Sequence, residues 1–229
     1  MGLTPDKLFL AEERGLKTTD TLKRYSTFNF EQFFSEHKRA IGNLFLCNVD
    51  SIAAGKMIFF LSKEDSYQLF FPITGRIDIV QGGKEFGVET GEVQVLNLGK
   101  GEVLEISNPY PNEEINYIQL AITTDLFLLR ASEMLFKFDF EEDKNHFIEI
   151  VNHAKLPFRL NVGTFANGQE LICKLQSKDH KLFFFVIDGT FRIDGRILKA
   201  RDGLSLWDLE QVQIVSLSDN AVILVLEHL

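Results

Sequence analysis

Five histidines and two cysteines are the chain's whole supply of imidazole and thiol, and metal or nucleophilic chemistry would have to start from them. His37, His146, His153, His180 and His228 form no H-x-H or H-E-x-x-H pair, and no His lies between Phe60 and Asn145. Lacking ligand spacing, they read as solvated or hydrogen-bonded surface groups. His180, just ahead of Phe183-Phe184-Phe185, is the one placed to serve as a lone ligand or base. Cys47 and Cys173 are far apart and outside any C-x-x-C pattern, so neither a zinc site nor a disulfide framework is expected, and a reduced cytoplasm fits best. No G-x-S-x-G elbow is present. Gly99-Lys100-Gly101 reads as a β-turn rather than a dinucleotide loop, and Glu141-Glu142-Asp143 as a solvated loop.

The elements that must position these groups are strands. The 229 residues are 45% hydrophobic and carry 22 Phe, enough to fill a core. The net charge is −9, and no basic cluster exceeds His37-Lys38-Arg39, so neither nucleic acid nor a membrane is an expected partner. Met1–Lys7 lacks a basic stretch followed by an apolar one, and no uncharged apolar run approaches the ~18 residues of a membrane span. Helical spacing is confined to short pieces, around Leu8 and Leu10, over Asp20–Arg24 and over Phe30–Phe34. From Ile52 onward the chain alternates with period two between glycine-bearing breaks, as in Ile77-Asp78-Ile79 and Glu92-Val93-Gln94-Val95-Leu96, the pattern of an antiparallel β-barrel. The run Ile73-Thr74-Gly75-Arg76-Ile77-Asp78-Ile79 with Thr90-Gly91-Glu92 recurs about half a chain later as Ile187-Asp188-Gly189-Thr190-Phe191-Arg192-Ile193 with Asp202-Gly203-Leu204. The expected architecture is mainly all-β, two tandem barrels with a few short helices. Residues 1–135 form the N-terminal barrel with its N-terminal arm, residues 136–229 the C-terminal barrel, and residues 125–152 link them and pack over one.

The order of these segments resembles the duplicated cupins, and more narrowly the pirin-like bicupins related to bacterial quercetin 2,3-dioxygenases. Glu13-Arg14-Gly15 and Ser26-Thr27-Phe28-Asn29-Phe30 resemble that family's opening R-G and T-F-S-F; Gly91-Glu92-Val93-Gln94, Gly99-Lys100-Gly101 and Asn108-Pro109 resemble its G-E/D-x-Q, G-x-G and N-P. Asp202-Gly203-Leu204-Ser205-Leu206-Trp207-Asp208 resembles its D-G-L-A-I-W-D. The resemblance implies a divalent metal, iron or another, held in the first barrel by H-x-H and H-x-E pairs, and a dioxygenase activity. Counting from Gly75 puts the first pair on Leu61 and Lys63, and counting from Gly101 puts the second on Leu104 and Ile106. All four should point inward, yet none but Lys63 is polar, so no cofactor is expected. A buried Lys63 would need a carboxylate, with Asp65 or Glu102 as pocket polar groups available to pair with it; the other reading is that the strand end flares and Lys63 points to solvent. The resulting expectation is a cupin without its metal centre, a non-catalytic interaction or small-molecule-binding protein, monomer or homodimer. The alternative is a quercetin 2,3-dioxygenase-like or metal-free enzyme acting on a small organic substrate.

Overall fold

Alternating side chains need two faces, one buried and one solvated, and the computed structural model, which describes residues 6–125, 133–140 and 144–228, consists almost entirely of such strands. Two short 3-10 turns, Ala11–Glu13 and Glu36–Lys38, are its helical pieces among the described residues. No helix there is long and apolar enough to cross a membrane.

The strands are β1 (Asp6–Phe9), β2 (Gly15–Thr18), β3 (Leu22–Ser26), β4 (Leu44–Ile52), β5 (Met57–Leu61), β6 (Ser66–Thr74), β7 (Ile77–Gln81), β8 (Lys84–Val88), β9 (Glu92–Leu98), β10 (Val103–Ser107), β11 (Ile115–Thr123) and β12 (Met134–Lys137). They continue as β13 (Ile148–Asn152), β14 (Phe158–Phe165), β15 (Glu170–Lys174), β16 (Lys181–Asp188), β17 (Thr190–Ile193), β18 (Arg196–Lys199), β19 (Gly203–Trp207), β20 (Gln211–Ser216) and β21 (Ala221–His228). One unit, Arg14–Lys137, faces a seven-stranded sheet ordered β12-β9-β6-β11-β4-β3-β2 with a four-stranded sheet ordered β5-β10-β7-β8. The other pairs a six-stranded sheet, β1-β19-β16-β21-β14-β13, with a four-stranded one, β15-β20-β17-β18. Strand by strand, β4 to β11 repeat as β14 to β21 in the same sheet order, which is the duplication seen in the sequence.

Two expectations are corrected, and a third falls partly outside the described residues. The N-terminal arm does not join the first barrel: Asp6–Phe9 pairs antiparallel with β19, Asp6 opposite Leu206, as β12 pairs with β9. The arm thus closes an open edge of the second sheet, where unpaired backbone groups would otherwise need water or another chain. The helical spacing also misleads. Leu22–Ser26 is a strand on β4, and Phe30 and Phe33 exchange backbone hydrogen bonds in a tight bridge instead of stacking on a helix. In the expected linker, residues 126–132 and 141–143 lie outside the described residues, including the Glu141-Glu142-Asp143 cluster. Its described parts are edge strands, β12 on β9 and β13 on β14.

Each unit has its own core. In the first, Ile58, Phe60, Phe70, Ile79, Leu104 and Ile106 belong to one buried cluster between its sheets. In the second, Phe165, Phe184, Phe191, Ile214 and Val225 do the same, and the Phe excess of the composition supplies much of that volume. The repeated turn glycines, Gly75 and Gly189, have φ of 71° and 81°, the left-handed region that glycine tolerates best. At Gly189 a Cβ would also stand 2.6 Å from the Ala221 Cβ and 2.9 Å from its Cα. Gly189→Ala is therefore expected to lower unfolding free energy by about 1–3 kcal/mol, read from the shift of a urea denaturation midpoint. An unshifted midpoint would mean the turn re-forms without strain.

Candidate functional site

Strand β10 places Leu104 and Ile106 inward, each 0% exposed. Its neighbour β5 runs antiparallel with Leu104 opposite Phe60, Ile106 opposite Ile58 and Val103 opposite Leu61. Residues opposite one another share a face, so Phe60 and Ile58 point inward with Leu104 and Ile106. Leu61, 54% exposed, points outward with Val103. This corrects the expected inward placement of Leu61 and Lys63: both are exposed, and Phe60 and Ser62 hold the inner positions. The cause lies in the turn after β5. Ser62 is tied to the start of β10, its N–H donating to the Glu102 carbonyl and its carbonyl accepting from Gly101 N–H, while its hydroxyl donates to the Glu64 carbonyl at 2.7 Å. The count from Gly75 crosses this turn and falls one residue out of phase with β5, which assigns every side chain of the strand to the other face.

Of the two readings of Lys63, the structure shows the exposed one, not the ion pair. Among the described residues Lys63 makes no salt bridge. Asp65 Oδ1 accepts the Lys100 N–H at 2.7 Å, and Glu102 Oε2 accepts the Gly99 N–H at 3.0 Å and the Gln81 amide at 3.4 Å. Both carboxylates serve the turn that contains Gly99-Lys100-Gly101. The inner positions of β5 and β10 therefore offer hydrocarbon and one hydroxyl, and among the described residues no group of three or more His, Cys, Asp or Glu is arranged to hold a metal ion.

Polar groups do enter the barrel, on the larger sheet. Asp50 of β4 is wholly buried and accepts two hydrogen bonds from Arg24 of β3, Nε to Oδ1 at 2.8 Å and Nη2 to Oδ2 at 2.6 Å. The Tyr117 hydroxyl of β11 donates to Oδ2 at 3.0 Å. Burial alone would lower the Arg24 pKa, but the hydrogen bonds and charge of Asp50 outweigh it and raise it. Burial, with the Asp50 charge, pushes Tyr117 well above its usual value, so the phenol stays a donor. One row along the sheet, Asn48 stands opposite Gln119. The Gln119 amide donates to Gln68 Oε1 at 2.9 Å and the Gln68 amide to Ser66 Oγ at 2.8 Å, while both polar atoms of the Asn48 side chain lack a protein partner.

At the rim of this barrel a cleft of about 280 Å³ is lined by Phe30, Phe33, Phe34, Phe45 and Phe60, with Leu61, Lys63 and Glu64 at its edge. Phe30 lies parallel to Phe60, centroids 6.2 Å apart, and the Arg24 guanidinium sits 5.0 Å from the Phe30 centroid. Lys17 and Glu31 pair at 2.6 Å beside it.

Comparison with known proteins places this arrangement. Residues 153–227 match the family described as the quercetinase C-terminal cupin domain. A quercetin 2,3-dioxygenase of Escherichia coli K12 is 21% identical over 93% of this chain and 95% of its own. The chain resembles the pirin-like cupins over nearly its whole length. Among solved structures, the chain superposes on YhhW from Escherichia coli with a TM-score of 0.86 and 19% identity, covering 98% of each chain. A bacterial pirin YhhW in complex with nickel(II) gives 0.83 and 18%, covering 98% of this chain and 99% of that one.

The histidines of the chain are placed as surface groups in part only. His146 and His153 make local contacts with their own loops. His180 pairs with Glu227, Nδ1 to Oε1 at 2.7 Å. His228 departs from expectation: it is buried, and neither ring nitrogen has a partner. The interior polar residues were missed because they form no motif. The signal available was parity, since Asn48 and Asp50 fall between Leu46 and Ile52 on the buried face of β4.

Proposed function

We propose that this pirin-like cupin carries no resident metal in its first barrel and works as a non-catalytic, small-molecule-binding protein of the cytoplasm. The observation that carries this is the burial of Leu104 and Ile106 against Phe60 and Ile58. Divalent ions of the kind cupins use need imidazole, carboxylate or thiolate donors. Here the inner positions of β5 and β10 supply side chains that cannot coordinate, and the single hydroxyl, Ser62, is already spent on a carbonyl. These residues do not fit the metal that the architecture implies, and no step of dioxygenase chemistry is derived for them. The Phe-lined cleft at the rim is the part of the barrel suited to a ligand, apolar and aromatic, with Lys63 and Glu64 to orient a polar end. Cys47 and Cys173 are not joined in a disulfide, in keeping with a reducing compartment.

The test is elemental analysis of freshly purified protein together with quercetin consumption under oxygen. Metal well below one equivalent and consumption at the buffer rate are expected, also after incubation with nickel or iron. A stoichiometric metal that survives dialysis, or turnover that depends on it, would overturn the proposal. Binding of the aromatic dye 1-anilinonaphthalene-8-sulfonate reports the cleft: Phe34→Asp, at a residue 70% exposed, is expected to weaken it about tenfold, roughly the loss of one aromatic contact, without changing the unfolding midpoint.

A further inference from the structure

The second barrel has a cavity of its own, about 240 Å³, bordered by Arg159 and Asn161 of β14, Cys173 of β15, Leu182 of β16, and Val225 and Glu227 of β21. Glu227 is 5% exposed. Its Oε1 is held by the Gln176 N–H at 3.0 Å and by His180 Nδ1 at 2.7 Å, while its Oε2 makes no hydrogen bond among the described residues. Arg159 stands directly opposite Glu227 in the β14–β21 register. Its ion pair, with Glu149, spans 3.9 Å, too long for a hydrogen bond. The Asn161 carboxamide, one residue pair further along, donates and accepts nothing among the described residues.

Glu227 thus has one oxygen fixed and one unspent beside a partly exposed guanidinium without a hydrogen bond, and a ligand that meets both would gain a charge-assisted hydrogen bond to each. The two charges are opposite in sign, adjacent, and set against Leu182 and Val225, which offer an apolar wall. A cation alone would leave Arg159 unmet, and an anion alone would leave Glu227 unmet. We infer that the second barrel binds a small zwitterion of amino-acid size, its ammonium on Glu227 Oε2 and Asn161, its carboxylate on Arg159, and its apolar substituent against Leu182 and Val225. His180 and the Gln176 N–H act as positioning groups that aim the free oxygen of Glu227 into the cavity. Burial, with the Glu227 charge, pushes the Cys173 thiol up to about 11, so its reactive thiolate forms in quantity only at alkaline pH. It serves as a reporter of occupancy. The site is independent of what the first barrel holds.

The test uses the full chain and free L-amino acids as probes, each titrated by calorimetry and thermal shift. At least one with an apolar side chain is expected to bind saturably at millimolar concentration or below. It should also slow alkylation of Cys173 by iodoacetamide at about pH 10, where part of the thiol is ionised, followed by mass spectrometry, with the buried Cys47 as internal control. The matching amine without the carboxylate, and the matching acid without the amine, are expected to bind at least about tenfold more weakly. Glu227→Gln and Arg159→Gln should each weaken binding to a similar degree. The inference is overturned if no amino acid binds, if the amine or the acid binds as tightly as the amino acid, or if Cys173 is alkylated at the same rate with the probe bound. Because the analogue series is run on the unaltered protein, misfolding of either variant would leave the outcome decidable.

Discussion

Asp50→Ala is expected to lower unfolding free energy by about 3–5 kcal/mol, the cost of leaving a buried charge without its partner. Arg24 and Asp50 are both almost wholly shielded, and their fork of two hydrogen bonds is joined by the Tyr117 hydroxyl. Removing the carboxylate strands a guanidinium that cannot shed its proton and a phenol whose donor has no other target named in its surroundings. The nearest substitute is Glu31, at 3.5 Å from Arg24 Nη1 and about one-third exposed, which can recover only part of the loss. Asp50→Asn should fall between, since it keeps the shape and one acceptor. The paired replacement Arg24→Met with Asp50→Leu should restore most of the stability, because no charge is then buried. Urea denaturation followed by far-UV circular dichroism measures all three. A loss under about 1 kcal/mol for Asp50→Ala would show that Arg24 reaches water in the folded chain. The triad also matters to the rim cleft, for the Arg24 guanidinium lies beside Phe30, which stacks on Phe60. Asp50→Ala should therefore weaken dye binding at the cleft as well as the fold.

How much of this was legible depended on whether position could be counted within one strand. Leu104 and Ile106 were placed from Gly101, three and five residues away on the turn that feeds the same strand, and both are buried as parity requires. Leu61 and Lys63 were placed from Gly75, across the whole of β6 and the Ser62–Asp65 turn, and both came out on the wrong face. Period-two patterns do not tolerate a single miscounted residue. The duplication was legible because turn glycines at Gly75 and Gly189 leave the same mark in both halves. The destination of the N-terminal arm was not, since Leu8 pairs with Leu204 at the far end of the chain and local spacing carries no information about so distant a partner. The apolar lining near β10 was visible as a lack of ligands. The polar belt opposite it was not, because Arg24, Asp50, Tyr117, Asn48 and Gln119 come from three separate strands that only the sheet register brings together.

A second large effect is expected with pH. Between about 6.5 and about 4, His228 should remove up to about 3 kcal/mol of stability as the medium is acidified. Burial first, and then the charge of Lys181, which stands opposite it in the β16–β21 register, lower the ring's pKa from 6.5 to about 4. Neither nitrogen has a partner that would favour the imidazolium. In the folded chain the ring therefore stays neutral through this window, while in the unfolded chain it takes up a proton below about 6.5. The unfolded state binds more protons there, so stability falls as pH falls, and the decline from this residue ends near pH 4, where the folded ring is protonated as well. Carboxylates titrate over part of the same range, so the measurement is the difference between the unaltered protein and His228→Leu. That difference should be constant above pH 7 and shift in favour of the leucine variant from pH 6.5 down to pH 4. Parallel curves across the window would mean that His228 is protonated in the fold near its ordinary pKa, and that the end of β21 opens to water far more than its 7% exposure indicates.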